Sequence, residues 1–326
     1  MFKSRVPISV QFELTYDCNN HCTFCYNHGD EGRSSLDTVD VEHILKDVAS
    51  SGVLTVNFNG GEPLLRSDFL DIASYAKKLD LDIHLNTNAT LIQSKKLAKD
   101  IAQLFPAVCV TILSGKEDTH DNLSGRSGAL KEVSSAIKVL QENGVYVAVN
   151  VMLSNVNKTD FLCTLSLLLR LGIQTVLVTR YIPCGEDVLS LHISDEDFFC
   201  SLRLLYEFQQ ENKCFSRISL PQPVKICIVP PDLRDTVKNW NIPCYIGLCT
   251  ASISCDGYLT PCNLVKKPVL GNLLKDSFSS LWDKFNGDDF SRNCHLKSEC
   301  ITCQELPFCG GGCKGFNDGF KSLIGG

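Results

Sequence analysis

The chain has 326 residues, a formal charge of -6, and 44% hydrophobic against 21% charged residues. That balance excludes a disordered or low-complexity protein. With no basic run or stripe, it also lacks the electrostatic footprint of a nucleic-acid binder. No apolar stretch approaches the ~18 residues needed to cross a bilayer, and no signal-peptide core follows the first residues. A cytoplasmic protein with neither nucleic acid nor membrane as partner is therefore expected. The length allows about two domains, or one barrel with an extension. Eighteen cysteines in a reducing compartment point to metal ligation rather than disulfides.

In chain order, β-branched runs at 8–14, 53–58, 81–85, 108–113, 145–152 and 174–179 alternate with helical patterns. The first three helices carry Val41, Ile44, Leu45 and Val48, then Phe69, Ile72, Ala73 and Ala76, then Leu97, Ile101 and Leu104 at helical spacing. Later ones carry Val133, Ile137 and Leu140, then Leu162, Leu165, Leu168 and Leu169. A last one, with Phe198, Leu202 and Leu205, is opened by Ser194 as N-cap with Asp197 three residues on. Six strand-helix units predict an α/β fold, a parallel sheet with helices outside it. Such sheets carry their active sites at the strand C-termini.

The first strand runs into Cys18-Asn19-Asn20-His21-Cys22-Thr23-Phe24-Cys25-Tyr26. Three thiolates at this spacing can hold three irons of a four-iron cluster and leave the fourth open to another ligand. A fourth cysteine close by would favour a closed structural site, zinc included, and none falls in the next eighty residues. The other strands end at the same rim in hydrogen-bonding groups. The second ends in Asn59-Gly60-Gly61-Glu62-Pro63, the third in Asn86-Thr87-Asn88, the fourth in Ser114-Gly115. The fifth carries Asn150, and the sixth runs into Arg180. The two glycines permit close backbone approach to a ligand, and Glu62 offers an acceptor for a cationic amine.

Cys18, Cys22 and Cys25 followed by Tyr26, with Gly60-Gly61-Glu62-Pro63 after the second strand, resemble the radical S-adenosylmethionine (SAM) superfamily. The resemblance covers roughly residues 8–210 and implies a partial (β/α)6 barrel. It implies that the three cysteines bind a [4Fe-4S] cluster whose unique iron is chelated by the methionine end of SAM, with the Gly60–Pro63 segment on the methionine amine. By position, Asn88, Ser114, Asn150 and Arg180 are looser candidates for cofactor contacts. Where the family often has glycine after the third-strand asparagine, this chain has Ala89, so a different local turn is expected there.

The expected division is a barrel at 1–215, a proline-rich bridge at 216–243 and a C-terminal domain at 244–326. Prolines 221, 223, 230, 231 and 243 argue against a helix or central strand in the bridge. Beyond it come Cys244, Cys249, Cys262, Cys300, Cys303, Cys309 and Cys313, whose nested spacings point to ligands, iron-sulfur or a zinc ribbon. The run from Ile253 to Cys262, followed by Leu270-Gly271-Asn272-Leu273 and Leu281-Trp282, resembles the SPASM domain of peptide-modifying radical SAM enzymes. That resemblance implies two auxiliary [4Fe-4S] clusters, one on Cys244, Cys249, Cys262 and Cys313, the other on Cys300, Cys303 and Cys309. The last cysteine usual in the family is missing before Gly326, so Cys294, the nearest spare thiol, is the first candidate for the fourth ligand, ahead of His295, Asp318 or an exogenous group. Cys109, Cys163, Cys184, Cys200, Cys214, Cys227 and Cys255 are expected as small buried residues, and His28, His84, His120 and His192 as structural or solvated ones.

The resemblance implies a 5'-deoxyadenosyl radical that abstracts hydrogen from a peptide or protein, as in the maturation of a ribosomally made peptide by crosslinking or other C-H modification. A sulfatase-maturing or tetrapyrrole-modifying enzyme is the alternative within the class, and a non-catalytic iron-sulfur electron-transfer protein the alternative outside it. Seventeen residues precede Cys18, too few for a leader-binding domain, so a separate leader-peptide-recognition protein or leader-independent recognition is expected. An electron donor such as flavodoxin or ferredoxin completes the expected partners.

Overall fold

In a computed structural model of the chain, the described residues are 5–27, 32–183, 188–264, 267–285, 296 and 298–313. Seven parallel strands follow one another in sequence: β1 (Ser9–Glu13), β2 (Thr55–Asn59), β3 (Asp82–Thr87), β4 (Ala107–Thr111), β5 (Tyr146–Leu153), β6 (Thr175–Arg180) and β7 (Arg217–Ser219). Between and after them lie α1 (Thr38–Ser50), α2 (Phe69–Lys78), α3 (Lys95–Leu104), α4 (Glu117–Ser124), α5 (Ala129–Glu142), α6 (Phe161–Arg170), α7 (Asp195–Asn212) and α8 (Arg234–Trp240). Along β1 and β2 buried apolar residues alternate with half-buried polar ones such as Gln11 and Asn57, so one face of the sheet packs on the helices. Val10, Phe12, Val56 and Phe58 are buried beside Ile44, Leu45, Phe69 and Ile72 of the helices in one continuous core.

The C-terminal third joins this sheet. A hairpin of β8 (Thr250–Ile253) and β9 (Tyr258–Thr260) lays β8 parallel to β1, with Ser9 opposite Thr250 and Phe12 opposite Ile253. A two-residue β10 (Gly271–Asn272) pairs with β9, and α9 (Phe278–Lys284) buries Phe278, Leu281 and Trp282. The sheet of ten strands runs β10-β9-β8-β1-β2-β3-β4-β5-β6-β7 and stays open, so the barrel is partial.

Residues 216–243 do more than bridge. β7 pairs with β6, and Ile218, Leu220, Ile226, Val229, Leu233, Val237 and Trp240 enter the main core. The prolines lie between these elements or open the turn Pro231–Leu233, where a missing N–H costs nothing. Among the described residues, no helix is long and apolar enough to cross a membrane.

Candidate active site

The three-cysteine loop leaves β1 and is braced from three sides. From β2, Gly61 N–H donates to Thr15 O at 2.6 Å and Glu62 N–H to Asp17 O at 2.9 Å. A Cβ on Gly60 would lie 2.2 Å from Thr15 O, and one on Gly61 2.2 Å from Asp17 O. Gly60 also has φ +129°. The glycines are thus required by backbone packing against residues 15–17. From α4, Ser124 O accepts from His21 N–H at 2.9 Å and Leu123 O from Thr23 N–H at 3.0 Å. Gly125, left-handed at φ +64°, lies so close that a Cβ would be 2.4 Å from His21 O. From β3, Asn88 Nδ2 donates to Asn19 Oδ1 at 2.9 Å and reaches Cys18 Sγ at 3.7 Å. Asn19 in turn donates to Thr90 Oγ1 at 2.8 Å.

Cys18, Cys22 and Cys25 are all half-buried. Burial, then the charges of Cys25 and Cys18, push the Cys22 thiol up, so the three sulfurs sit near enough to repel one another as thiolates. Such a donor set fits a cationic iron cluster, which relieves both penalties. Among the described residues, no three Cys, His, Asp or Glu side chains are grouped to hold a single metal ion.

Glu62 is fully buried beside this loop. Its Oε1 accepts from Thr87 Oγ1 at 2.7 Å and Leu64 N–H at 3.2 Å, and its Oε2 from Asn88 N–H at 2.8 Å. Burial outweighs these bonds and lifts its pKa to about 7. It is a carboxyl held in place with no basic side chain among those bonds, suited to receive an ammonium group. Pro63, also buried, opens the turn Pro63–Leu65 that Glu62 caps. Ala89 adopts φ +61°, the left-handed turn that glycine would make freely.

The outer rim residues are engaged elsewhere. Buried Ser114 donates to Asp160 Oδ2 at 3.2 Å and accepts from Lys116 N–H at 3.0 Å. Asn150 Oδ1 accepts from Thr179 Oγ1 at 3.2 Å. Arg180 pairs with Asp195 at 2.5 Å, donates to Ile193 O at 2.6 Å and lies over the Phe198 ring. The structure therefore gathers Glu62 and Asn88 around the cysteine loop, while the polar groups of Ser114, Asn150 and Arg180 stabilise the rim.

Three supporting residues escaped the sequence reading. Buried Asn157 donates to Leu113 O at 2.6 Å and Met152 O at 2.7 Å, tying the ends of β4 and β5 together. Asp160 takes Lys116 at 2.6 Å and Thr119 at 2.6 Å. Arg126 reaches Asn19 O at 3.4 Å while paired with Glu132. The short run from Asn155 to Asp160 was the one sequence signal for Asn157 and Asp160, and Arg126 had none. His120 is structural: its Nδ1 accepts from Leu113 N–H at 3.1 Å, and burial lowers its pKa to about 4.

Tyr26 joins the two cysteine sets. Its hydroxyl accepts from Asn263 Nδ2 at 3.2 Å, the residue after Cys262, and it bonds buried Glu13, which also accepts from Tyr16 Oη at 3.0 Å. Cys249 O accepts from Ile8 N–H at 2.8 Å at the start of the β8–β1 ladder. Cys244 and Cys262 pack on Ile246, and Gly310 presses against Cys244. Cys313 N–H donates to Pro223 O at 2.8 Å. Cys303 N–H donates to Cys300 O at 3.2 Å, and buried Cys309 ends the helical turn Leu306–Cys309. Cys294, His295 and Asp318 lie outside the described residues, as do Cys184 and His28. Of the cysteines expected inside, Cys255 is buried, Cys109, Cys163 and Cys214 are half-buried, and Cys200 and Cys227 are exposed.

An open parallel sheet with a three-cysteine loop at its C-terminal rim defines a cofactor enzyme of the iron-sulfur class. The chain carries a radical SAM superfamily domain at residues 12–168 and a SPASM iron-sulfur cluster-binding domain at residues 244–304. Its cofactors are accordingly [4Fe-4S] clusters and SAM. It is 28% identical to the AdoMet-dependent heme synthase of Methanosarcina barkeri, over 94% of this chain and 91% of that one. It is 24% identical to the sporulation killing factor maturation protein SkfB of Bacillus subtilis, over 92% and 69%. The fold matches Streptococcus suis SuiB bound to its precursor peptide SuiA with a TM-score of 0.78, at 18% identity, over 95% and 72%.

Proposed function

We propose that the chain oxidatively modifies a peptide, most simply a ribosomally made precursor, at an unactivated C-H bond. The observation that carries this reading is the Tyr26–Asn263 hydrogen bond. It puts the residue after Cys25 against the residue after Cys262, so this auxiliary cysteine lies near the three-cysteine loop. An oxidative modification needs an electron acceptor next to hydrogen abstraction, and the auxiliary set supplies that place. SkfB and SuiB, named for or seen with peptides, support the same reading.

In this proposal Cys18, Cys22 and Cys25 hold the first cluster, and Gly60–Pro63 with Glu62 receive the methionine amine. Bound there, cluster and SAM supply hydrogen-atom abstraction through a 5'-deoxyadenosyl radical. Asn88 fixes the loop through Asn19. Ser114, Asn150 and Arg180, on the outer rim, are the candidates for contacts to the rest of SAM. Cys244, Cys249, Cys262 and Cys313 hold one auxiliary cluster, and Cys300, Cys303 and Cys309 the core of another. A flavodoxin or ferredoxin delivers electrons.

A second reading, oxidation of a tetrapyrrole side chain, is favoured by the heme synthase similarity across nearly all of both chains. Anaerobic incubation of the reconstituted protein with SAM and reductant, once with the co-encoded peptide and once with an iron porphyrin bearing propionates, separates the two. Loss of two hydrogens from the peptide, matched to 5'-deoxyadenosine formed, is expected. Turnover of the porphyrin alone would replace the peptide reading with the second.

A further inference from the structure

Among the described residues, a cavity of about 240 Å³ lies between the end of β6 and the last auxiliary cysteines, lined among others by Arg180, Phe198, Gln222, Lys225, Gly312 and Cys313. Its wall from 222 to 225 is held at every residue. Gln222 Oε1 accepts from Arg180 N–H at 2.7 Å, and Pro223 O accepts from Cys313 N–H at 2.8 Å. Asn241 grips Val224 twice, its Oδ1 accepting from Val224 N–H at 2.8 Å and its Nδ2 donating to Val224 O at 3.0 Å. Lys225 O accepts from Ile228 N–H at 3.2 Å and so closes the turn Ile226–Ile228. A wall fixed in advance needs little ordering when a ligand arrives.

That wall carries donors without partners. With its oxygen on Arg180 N–H, Gln222 keeps two Nε2 donors, and neither they nor the Lys225 ammonium is bonded among the described residues. The alkyl stem of Lys225 lies along the backbone just before Cys313: a Cβ on Gly312, left-handed at φ +84°, would be 2.6 Å from Lys225 Cγ. Glycine there leaves room for the stem that carries the charge. Of the other charged groups in the lining, Arg180 and Asp195 pair with each other at 2.5 Å. One net positive charge remains, beside amide donors and the apolar Phe198, Val224 and Ile228, which suits a carboxylate on a short apolar stem. Volume decides how much of a substrate enters. Pockets for whole small ligands enclose about 300–1,000 Å³, so this cavity, at about 240 Å³, takes one side arm and not a tetrapyrrole ring. We infer that it is a specificity pocket for one carboxylate side arm of the substrate, an Asp or Glu side chain under the peptide reading, held beside Cys313 by Lys225 and Gln222.

The inference rests on the peptide reading, and the test keeps the two apart. N-acetylglutamate N-methylamide and its glutamine counterpart are titrated into the full-chain protein and followed by saturation-transfer NMR, a readout that needs no turnover. The glutamate compound should bind at least about tenfold tighter than the glutamine one, as for hydrogen bonds to a charged group. Lys225→Met keeps the stem on Gly312, and Gln222→Glu keeps the acceptor for Arg180 N–H but adds a negative charge. Each should erase the preference, and Lys225→Arg should keep it. Equal binding of the two compounds, or a preference that survives Lys225→Met, would overturn the inference. A second arm identifies the source of the carboxylate. For the co-encoded peptide, replacing one Asp or Glu by its amide should weaken binding about tenfold in the wild type and not at all in Lys225→Met. If the peptide is turned over but no such replacement matters, the peptide reading stands and the pocket falls. If only an iron porphyrin bearing propionates is turned over, and its affinity drops about tenfold in Lys225→Met, the reading falls and the pocket stands, with a propionate as its carboxylate.

Discussion

At the scale of single residues, Glu62 has a measurable signature. Its pKa rises from the ordinary 4.5 to about 7, so the folded, ligand-free protein keeps a proton that the unfolded chain has lost. Its contribution to stability is full below pH 4.5 and is lost as the pH climbs through 7, a change of about 3 kcal/mol. Urea unfolding of the ligand-free protein between pH 4.5 and 8 should show this decline, and Glu62→Gln should flatten it. In the proposed role the ionised carboxylate meets the methionine amine, so Glu62→Gln should weaken SAM binding by about 2 kcal/mol, read by calorimetry on reconstituted protein. Ala89 is a second test. Its left-handed backbone costs about 1–2 kcal/mol, but its buried methyl contributes about 1 kcal/mol and glycine gives up unfolded-state stiffness. Ala89→Gly should therefore move stability by less than about 1 kcal/mol, whereas Ala89→Val, β-branched in the same turn, should lower it by more than about 2 kcal/mol in thermal unfolding.

At the scale of elements, what the sequence revealed and what it hid have separate physical causes. The strands after which the rim residues lie were readable because their apolar, often β-branched residues recur at every second position, as Val10 and Phe12 or Val56 and Phe58 do. The short β7 was not, because prolines 221 and 223 follow it directly and its three residues carry no period. The glycines at 60 and 61 were readable as a close approach, but what they approach, the carbonyls of Thr15 and Asp17, is a contact between loops 45 residues apart. Likewise the partners of Ser114 and Arg180, Asp160 and Asp195, lie 46 and 15 residues further along the chain. Partners brought in by folding leave no local mark. Because the close approach is structural, Gly61→Ala should push the β2 loop off the cysteine loop. The expected result is loss of the first cluster with both auxiliary clusters kept, so iron falls from about twelve to about eight per chain.

At the scale of the whole molecule, the two cysteine sets share one sheet, and β1 lies in its interior with β8 on one side and β2 on the other. The pairing, together with the shared core, predicts one cooperative unfolding transition for the reconstituted protein in calorimetry; two separated transitions would contradict it. The β8–β1 ladder also bears on how such enzymes can be recombined. A chimaera cut between residues 243 and 244, where the family domains meet on paper, would part strands that hydrogen-bond from Ser9 to Phe12 and leave β1 with a raw edge prone to aggregation. An exchange of auxiliary domains between relatives therefore has to carry the matching first strand with it, so that the unit of inheritance is a seam with both its sides.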